Sequence, residues 1–265
     1  MPIVVTRQAL DAEDPYDVVQ SNIGIVNRLR DAWLNEDEID ADAWRSYLVD
    51  YFGTQVRDGG FSQFVYSSTW REAEVKLVRG GLEAMGAHDT LGLFDRGVTL
   101  VDELPDEELE AFLESATHPR NATRDRLQAL DVAFGELDED LEALNAAWIR
   151  SRTDLVVLAD EDVETWIAEQ IDAIENLEDR IAAAQEAEPR YAKAIRRLLD
   201  AVGLELGRIT AGDPAHEHEG RTLVAWHFLT ADDEPYYQLD FGTEAAMFDA
   251  ETHDEVVRVD VADLP

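Results

Sequence analysis

Apolar positions recur at three- and four-residue intervals from the N-terminal region to Val202 and at two-residue intervals near the end of the chain, which predicts helices first and strands last. After a lead-in over 1–20 with a short β-like piece at 3–5, Val18, Val19, Ile23, Ile25, Val26 and Leu29 stripe a helix expected over 17–34. Trp44, Tyr47, Leu48 and Tyr51 do the same over 41–52, with Asp40 or Asp42 as its cap. Further helices are expected over 70–85, capped from Ser67, Ser68 or Thr69, over 90–103, over 106–116 behind Pro105, over 123–135 and over an acidic amphipathic stretch at 136–155. Val163, Trp166, Ile167, Ile171, Ile174, Leu177 and Ile181 predict one uninterrupted helix over 161–187. Pro189 separates it from a helix over 191–203, as in an antiparallel helical hairpin. The polar stretch GRITAGDPAHEHEG reads as a loop. TLVAWHFLT, PYYQLDF, EAAMFDA and DEVVRVDV read as strands of an antiparallel meander, with Val257, Val259 and Val261 alternating against Arg258 and Asp260. The expected fold class is α+β: a mainly helical N-terminal domain over 1–158, then a helical hairpin and a small antiparallel sheet over 159–265.

One stretch departs from this acidic helical background. Residues 51–70, YFGTQVRDGGFSQFVYSSTW, carry Tyr51, Phe52, Phe61, Phe64, Tyr66 and Trp70 around the paired glycines Gly59 and Gly60, with Tyr47 close by. Each aromatic side chain buries roughly 150 to 250 Å², so the stretch reads as a packing hub. The glycines end one helix and turn the aromatic run back toward the core.

Charge changes the picture of the surface. The 265 residues hold 59 Asp and Glu against 22 Lys and Arg, a formal charge of −37, and the basic residues are arginines apart from Lys76 and Lys193. Such a field repels nucleic acid and anionic membranes and draws basic proteins. It also suits adaptation to salt, and its even spread along the chain favours that bland reading, in which the charge is unrelated to a specific function. The densest runs are Asp102, Glu103, Asp106, Glu107, Glu108, Glu110 and Glu114, and then Glu136, Asp138, Glu139, Asp140 and Glu142. Both read as solvated helix faces first and as contact surfaces for a basic partner second. No apolar run of about 18 residues is available to span a bilayer, the N-terminus lacks the pattern of a secretion signal, and a cytoplasmic location is expected.

Candidate chemistry is sparse. The absence of cysteine removes thiolate catalysis, disulfides and thiolate zinc sites. No phosphate loop, nucleophile elbow or dinucleotide fingerprint occurs, so no cofactor is expected. Of the histidines, His88 and His118 stand apart, whereas His216 and His218 flank Glu217 and lie within chain reach of His227 and His253. An enzyme or metal-binding protein with a histidine-containing pocket in the C-terminal module is the alternative these residues permit. The spacing lacks the helical four-residue interval of metalloprotease ligands, so no metal is expected.

DGGFSQFVYSSTW, then EAMGAHDT, then LDVAFGELDEDLEALNAAWIRSR resemble the DNA-mimic-protein-nineteen-like domain over about residues 20–155. The signature of that family is an Asn-Gly-Gly-Phe-x-Gln turn. Gly59, Gly60, Phe61 and Gln63 fit it, while Asp58 replaces the asparagine. A later Leu-Asp element followed by phenylalanine is matched by Leu130, Asp131 and Phe134, with Gly135 where an aromatic is usual. The resemblance implies a mostly helical fold and a non-enzymatic acidic protein-binding module, a DNA mimic that competes for a basic DNA-binding protein without binding nucleic acid itself.

Overall fold

Several helices of the first part begin where a short polar side chain takes up a free N–H. A computed structural model describes residues 2–115 and 117–265; Met1, in the lead-in, and Ala116, the last residue of the helix expected over 106–116, lie outside them. Strand β1 (Val4–Thr6) leads into helix α1 (Arg7–Asp11), where Thr6 Oγ1 accepts from the Ala9 N–H. Helix α2 (Pro15–Asp31) starts with Pro15 at its first position and Asp14 accepting from the Tyr16 N–H. Helix α3 (Ala41–Gly59) is capped by Asp40 through the Asp42 N–H. Helices α4 (Phe61–Ser67), α5 (Glu72–Met85), α6 (His88–Asp102), α7 (Asp106–Leu113), α8 (Ala122–Leu127), α9 (Asp131–Gly135) and α10 (Leu141–Ser151) follow. Strand β2 (Val156–Leu158) then pairs in parallel with β1, Val4 opposite Val156, and α11 (Val163–Asp172) completes the first unit, Met1–Glu175.

Helix α3 is the axis of that unit. Its buried face, from Ala43 and Trp44 through Leu48 and Val49 to Phe52, meets α2, α5 and α10. Two buried asparagines fix the neighbours: Asn22 Nδ2 of α2 donates to the Ala43 carbonyl at 3.1 Å, and Asn145 Nδ2 of α10 donates to the Ser46 carbonyl at 2.9 Å. Gly81 lets α5 approach closely, since a Cβ there would stand 2.7 Å from Val49 Cγ2. At the far end the expected aromatic hub is present. Phe52 meets Phe64 and Phe94 edge-to-face at 5.0 and 5.1 Å, and Trp70 meets Phe61 edge-on at 6.1 Å.

The second unit, Asn176–Pro265, holds α12 (Leu177–Ala187), α13 (Arg190–Val202) and an antiparallel sheet in the order β3 (Leu206–His218), β4 (Arg221–Thr230), β5 (Pro235–Asp240), β6 (Glu244–Asp249), β7 (Glu255–Asp260). Helix α13 covers one face, with Ile195, Leu198 and Leu199 against Phe228, Met247 and Val261, and Tyr191 stacks on Trp226 at 3.7 Å. Arg190 binds Asp240 at 2.8 Å and the Val261 carbonyl at 3.1 Å, which ties the start of that helix to two ends of the sheet. The opposite face buries Tyr237, Leu239 and Phe248.

The α+β architecture, helical first and with a C-terminal antiparallel sheet, is as expected, but several elements differ. Most of the stretch expected as a loop over 207–220 belongs to β3, with only Glu219 and Gly220 left in the turn to β4. Gly207 lies against the Thr230 carbonyl, Gly212 lies under the Trp226 ring, and the register slips at three places, so a sequence full of turn residues is accommodated as a bulged edge strand. Helix α3 runs through TQVRDG to Gly59 and does not stop near Phe52. The helix expected over 161–187 is interrupted between Asp172 and Leu177, with no proline or glycine to mark the break. The 123–135 segment is two short helices, and the 136–155 helix begins only at Leu141, where Asp140 accepts from the Ala143 N–H.

Two glycines of α6 separate packing from propensity. A Cβ on Gly97 would fall inside the Phe61 ring, whereas Gly92 has open space around it. Gly97→Ala is expected to lower the unfolding free energy by about 1–3 kcal/mol through overpacking. Gly92→Ala is expected to raise it by about 0.5–1 kcal/mol through helix propensity. Urea titration of the two variants beside the parent measures both.

Candidate functional site

The residues of the resembled signature converge, although they lie far apart in sequence. Gly60 ends α3 with φ +80° and ψ 178°, a conformation that L side chains avoid, and a Cβ there would fall inside the Asp131 carboxylate. Asp131 Oδ1 accepts from the Phe61 N–H at 2.9 Å, so the first turn of α4 is capped by α9, an element far along the chain. Phe134, one turn further along α9, stacks on Phe61 with rings 9° from parallel and 6.1 Å apart. Gln63 donates to Ser67 Oγ at 2.6 Å, and a Cβ on Gly59 would stand 2.7 Å from Gln63 Cβ. Asp58 is exposed at the lip of this turn.

Beside the clasp lies a cavity of about 650 Å³. Phe52, Val56, Phe134, Leu137 and Leu141 give it an apolar floor, and Gly53, Gly59, Gly60 and Gly135 give it walls without side chains. Five carboxylates, of Asp58, Asp131, Glu139, Asp140 and Glu142, face it with the guanidiniums of Arg57 and Arg124. Arg57 pairs with Glu142 at 2.9 Å. Glu139 reaches across to the start of α6 and accepts from the Asp89 and Thr90 N–H groups at 3.0 and 2.7 Å. Sequence alone placed Glu139 on a solvated face; its structural task was invisible because the helix end it satisfies lies at His88.

Two of these carboxyls titrate in opposite senses. Burial raises Asp131 above the ordinary aspartate value, and the Phe61 N–H and the nearby Arg124 offset this only in part. Burial would raise Glu139 too, but the Thr90 hydroxyl and the two helix N–H groups outweigh it and hold the carboxyl below the ordinary glutamate value.

The two acidic runs differ in how far they are committed to the fold. Asp102, Glu103, Asp106, Glu107, Glu108, Glu110 and Glu114 are all exposed, on the end of α6 and along α7, while Leu109, Phe112 and Leu113 turn inward. Asp106, Glu107 and Glu108 fill the first turn of α7, where the helix dipole favours them. Among the described residues, Glu108 alone of this run has a basic neighbour within ion-pair distance, Arg126 at 3.9 Å. In the second run Glu136 and Asp138 are exposed, whereas Glu139, Asp140 and Glu142 bind a helix end or an arginine.

The C-terminal histidines do converge, but around rings. His216, His227 and His253 lie 5.0, 5.6 and 5.9 Å from the Tyr237 ring, and His218 lies 5.2 Å from that of Phe248. Among the described residues no group of three or more His, Asp or Glu side chains is arranged to hold a metal. His216 and His218 belong to β3 and not to a loop. His118 stacks on Tyr66 in the first unit, and burial lowers its pKa. A second cleft, of about 350 Å³, lies between α3 and α5 on Trp44, Tyr47 and Tyr51. Its arginines are engaged by their own neighbours, Arg30 over the Trp44 ring and Arg71 with Glu36 and Glu74.

A helical domain organised by a glycine turn, an aspartate clasp and an acidic outer surface is the class these features define. No helix among the described residues is long and apolar enough to cross a membrane. Residues 37–152, from the turn before α3 to the end of α10, match the family model described as DMP19-like protein, the resemblance the signature led one to expect. Comparison with curated proteins and with solved structures gives no match.

The clasp predicts paired pH signatures. Asp131→Ala and Glu139→Ala each remove a helix cap and are expected to cost about 1 kcal/mol at neutral pH. Glu139 is depressed in the fold, so its contribution is present above the ordinary glutamate range and is lost as pH falls through the depressed value; the Glu139→Ala penalty shrinks on acidification. Asp131 is raised, so its ionised form costs stability above the raised value and the cost fades as pH falls through it. Asp131→Asn is therefore expected to match or exceed the parent at neutral pH, with the difference closing toward acid. Urea midpoints across a pH series read both trends.

Proposed function

We propose that the protein is a non-enzymatic acidic binding module whose partner is a basic DNA-binding protein, and that it competes with DNA for that partner. The observation that carries this reading is α7. It is an amphipathic helix packed by its apolar side, and its run of carboxylates is exposed and, apart from Glu108, free of basic neighbours among the described residues. A row of unpaired charge on a rigid element retains its full field for an incoming cation, whereas the paired acids of the second run have spent theirs within the fold. The DMP19-like match over 37–152 supports the reading.

Recovery of a basic nucleic-acid-binding protein from lysate at moderate salt, with its release by duplex DNA, is the expected result. Combined replacement Asp106→Asn, Glu107→Gln, Glu108→Gln and Glu110→Gln removes four charges, each worth about 0.2–1 kcal/mol at an exposed contact. It should weaken binding about tenfold or more while leaving the urea midpoint nearly unchanged. Binding of the parent should weaken steeply as salt rises. If the charge serves only solubility in salt, nothing basic is recovered, and stability falls sharply at low ionic strength instead.

A further inference from the structure

We propose that the cavity beside the glycine turn is an anchor pocket for one arginine side chain of the basic partner, an inference that rests on the preceding reading of the protein as a binder of basic proteins. The lining carries five carboxylates against two guanidiniums, so an anion entering it is repelled overall. Three of the carboxylates are committed: Asp131, Glu139 and Asp140 each accept from a helix N–H. Two remain for a ligand. Asp58 is exposed at the lip with no ion pair among the described residues, and Glu142 is held only by Arg57, whose own side chain is largely in solvent and can swing away. Beneath them the floor of Phe134, Leu137 and Leu141 offers apolar surface to a long aliphatic stem. A guanidinium suits this combination better than an ammonium. Its flat face stacks on an aromatic ring and its edge forks a carboxylate, while a lysine head group is a strongly hydrated point charge. Gly135 lines the opening, and a Cβ there would stand in open space with nothing within 4 Å, so a large side chain at this position has room to reach over the cavity.

That last feature supplies the test. Amide NMR of the full chain is recorded with increasing N-acetyl-argininamide, and in separate titrations with N-acetyl-lysinamide and N-acetyl-glutamate amide. The expected result is saturable shifts of the Gly59, Gly60 and Gly135 amides with the arginine probe, weaker shifts with lysine and none with glutamate. Gly135→Trp fills the cavity and should abolish the arginine response. Asp58→Asn, at an exposed position outside the packing, should weaken it about tenfold. Absence of saturable shifts with arginine overturns the proposal, as does a response indifferent to both substitutions or one stronger with glutamate. The partner arm separates this from the broader reading. A basic protein recovered equally by the parent and by Gly135→Trp sinks the anchor alone, whereas recovery of no basic protein sinks the partner reading.

Discussion

The hydrogen bond from the Phe61 N–H to Asp131 is the contact on which the first unit depends. It requires a residue without a side chain at Gly60, because the carboxylate occupies the place of its Cβ, and it caps a helix whose own sequence offers no capping side chain. In satisfying it, α9 brings Phe134 onto Phe61, and Phe61 in turn fills the space left by Gly97 on α6. One carboxylate thus sets the relation of α4, α6 and α9, and the cavity and the acidic rim lie on the outer side of the same joint.

Acidity in this protein is therefore of more than one kind. Asp14, Asp40 and Asp140 close helix starts within their own segments, and Asp131 and Glu139 do so across the fold. The carboxylates of α7 do none of this beyond favouring their own first turn. A formal charge summed over the chain merges these roles, although the first group is tied to stability and the second stands exposed.

Helix-forming segments were legible where apolar spacing and a local cap agreed, as at Asp40, and the aromatic hub was legible from its density alone. Register with distant elements was not. Nothing near Pro189 or Ile181 discloses that the regular stripe from Val163 breaks after Asp172, because the interruption leaves the apolar spacing intact. Strand β3 was hidden by Gly207, Gly212 and Pro214, which signal turns in isolation but sit on a sheet edge where bulges absorb them. At the candidate site, the glycines and Asp58 could be named from the sequence. The cavity could not, since it arises from Leu137, Leu141 and Gly135 meeting α3 across a long loop of chain.

The parallel pairing of Val4–Thr6 with Val156–Leu158 carries a consequence for how the protein is made. The first strand of this unit to be synthesised has its partner among the unit's last segments, and a parallel pair has no hairpin through which to form early. Val4 and Val5, fully buried at the end, stay unpaired through synthesis of the intervening helices. Docking of this edge is then the step that turns a nascent bundle into a closed one, and its timing is set by translation of the segment that follows α10.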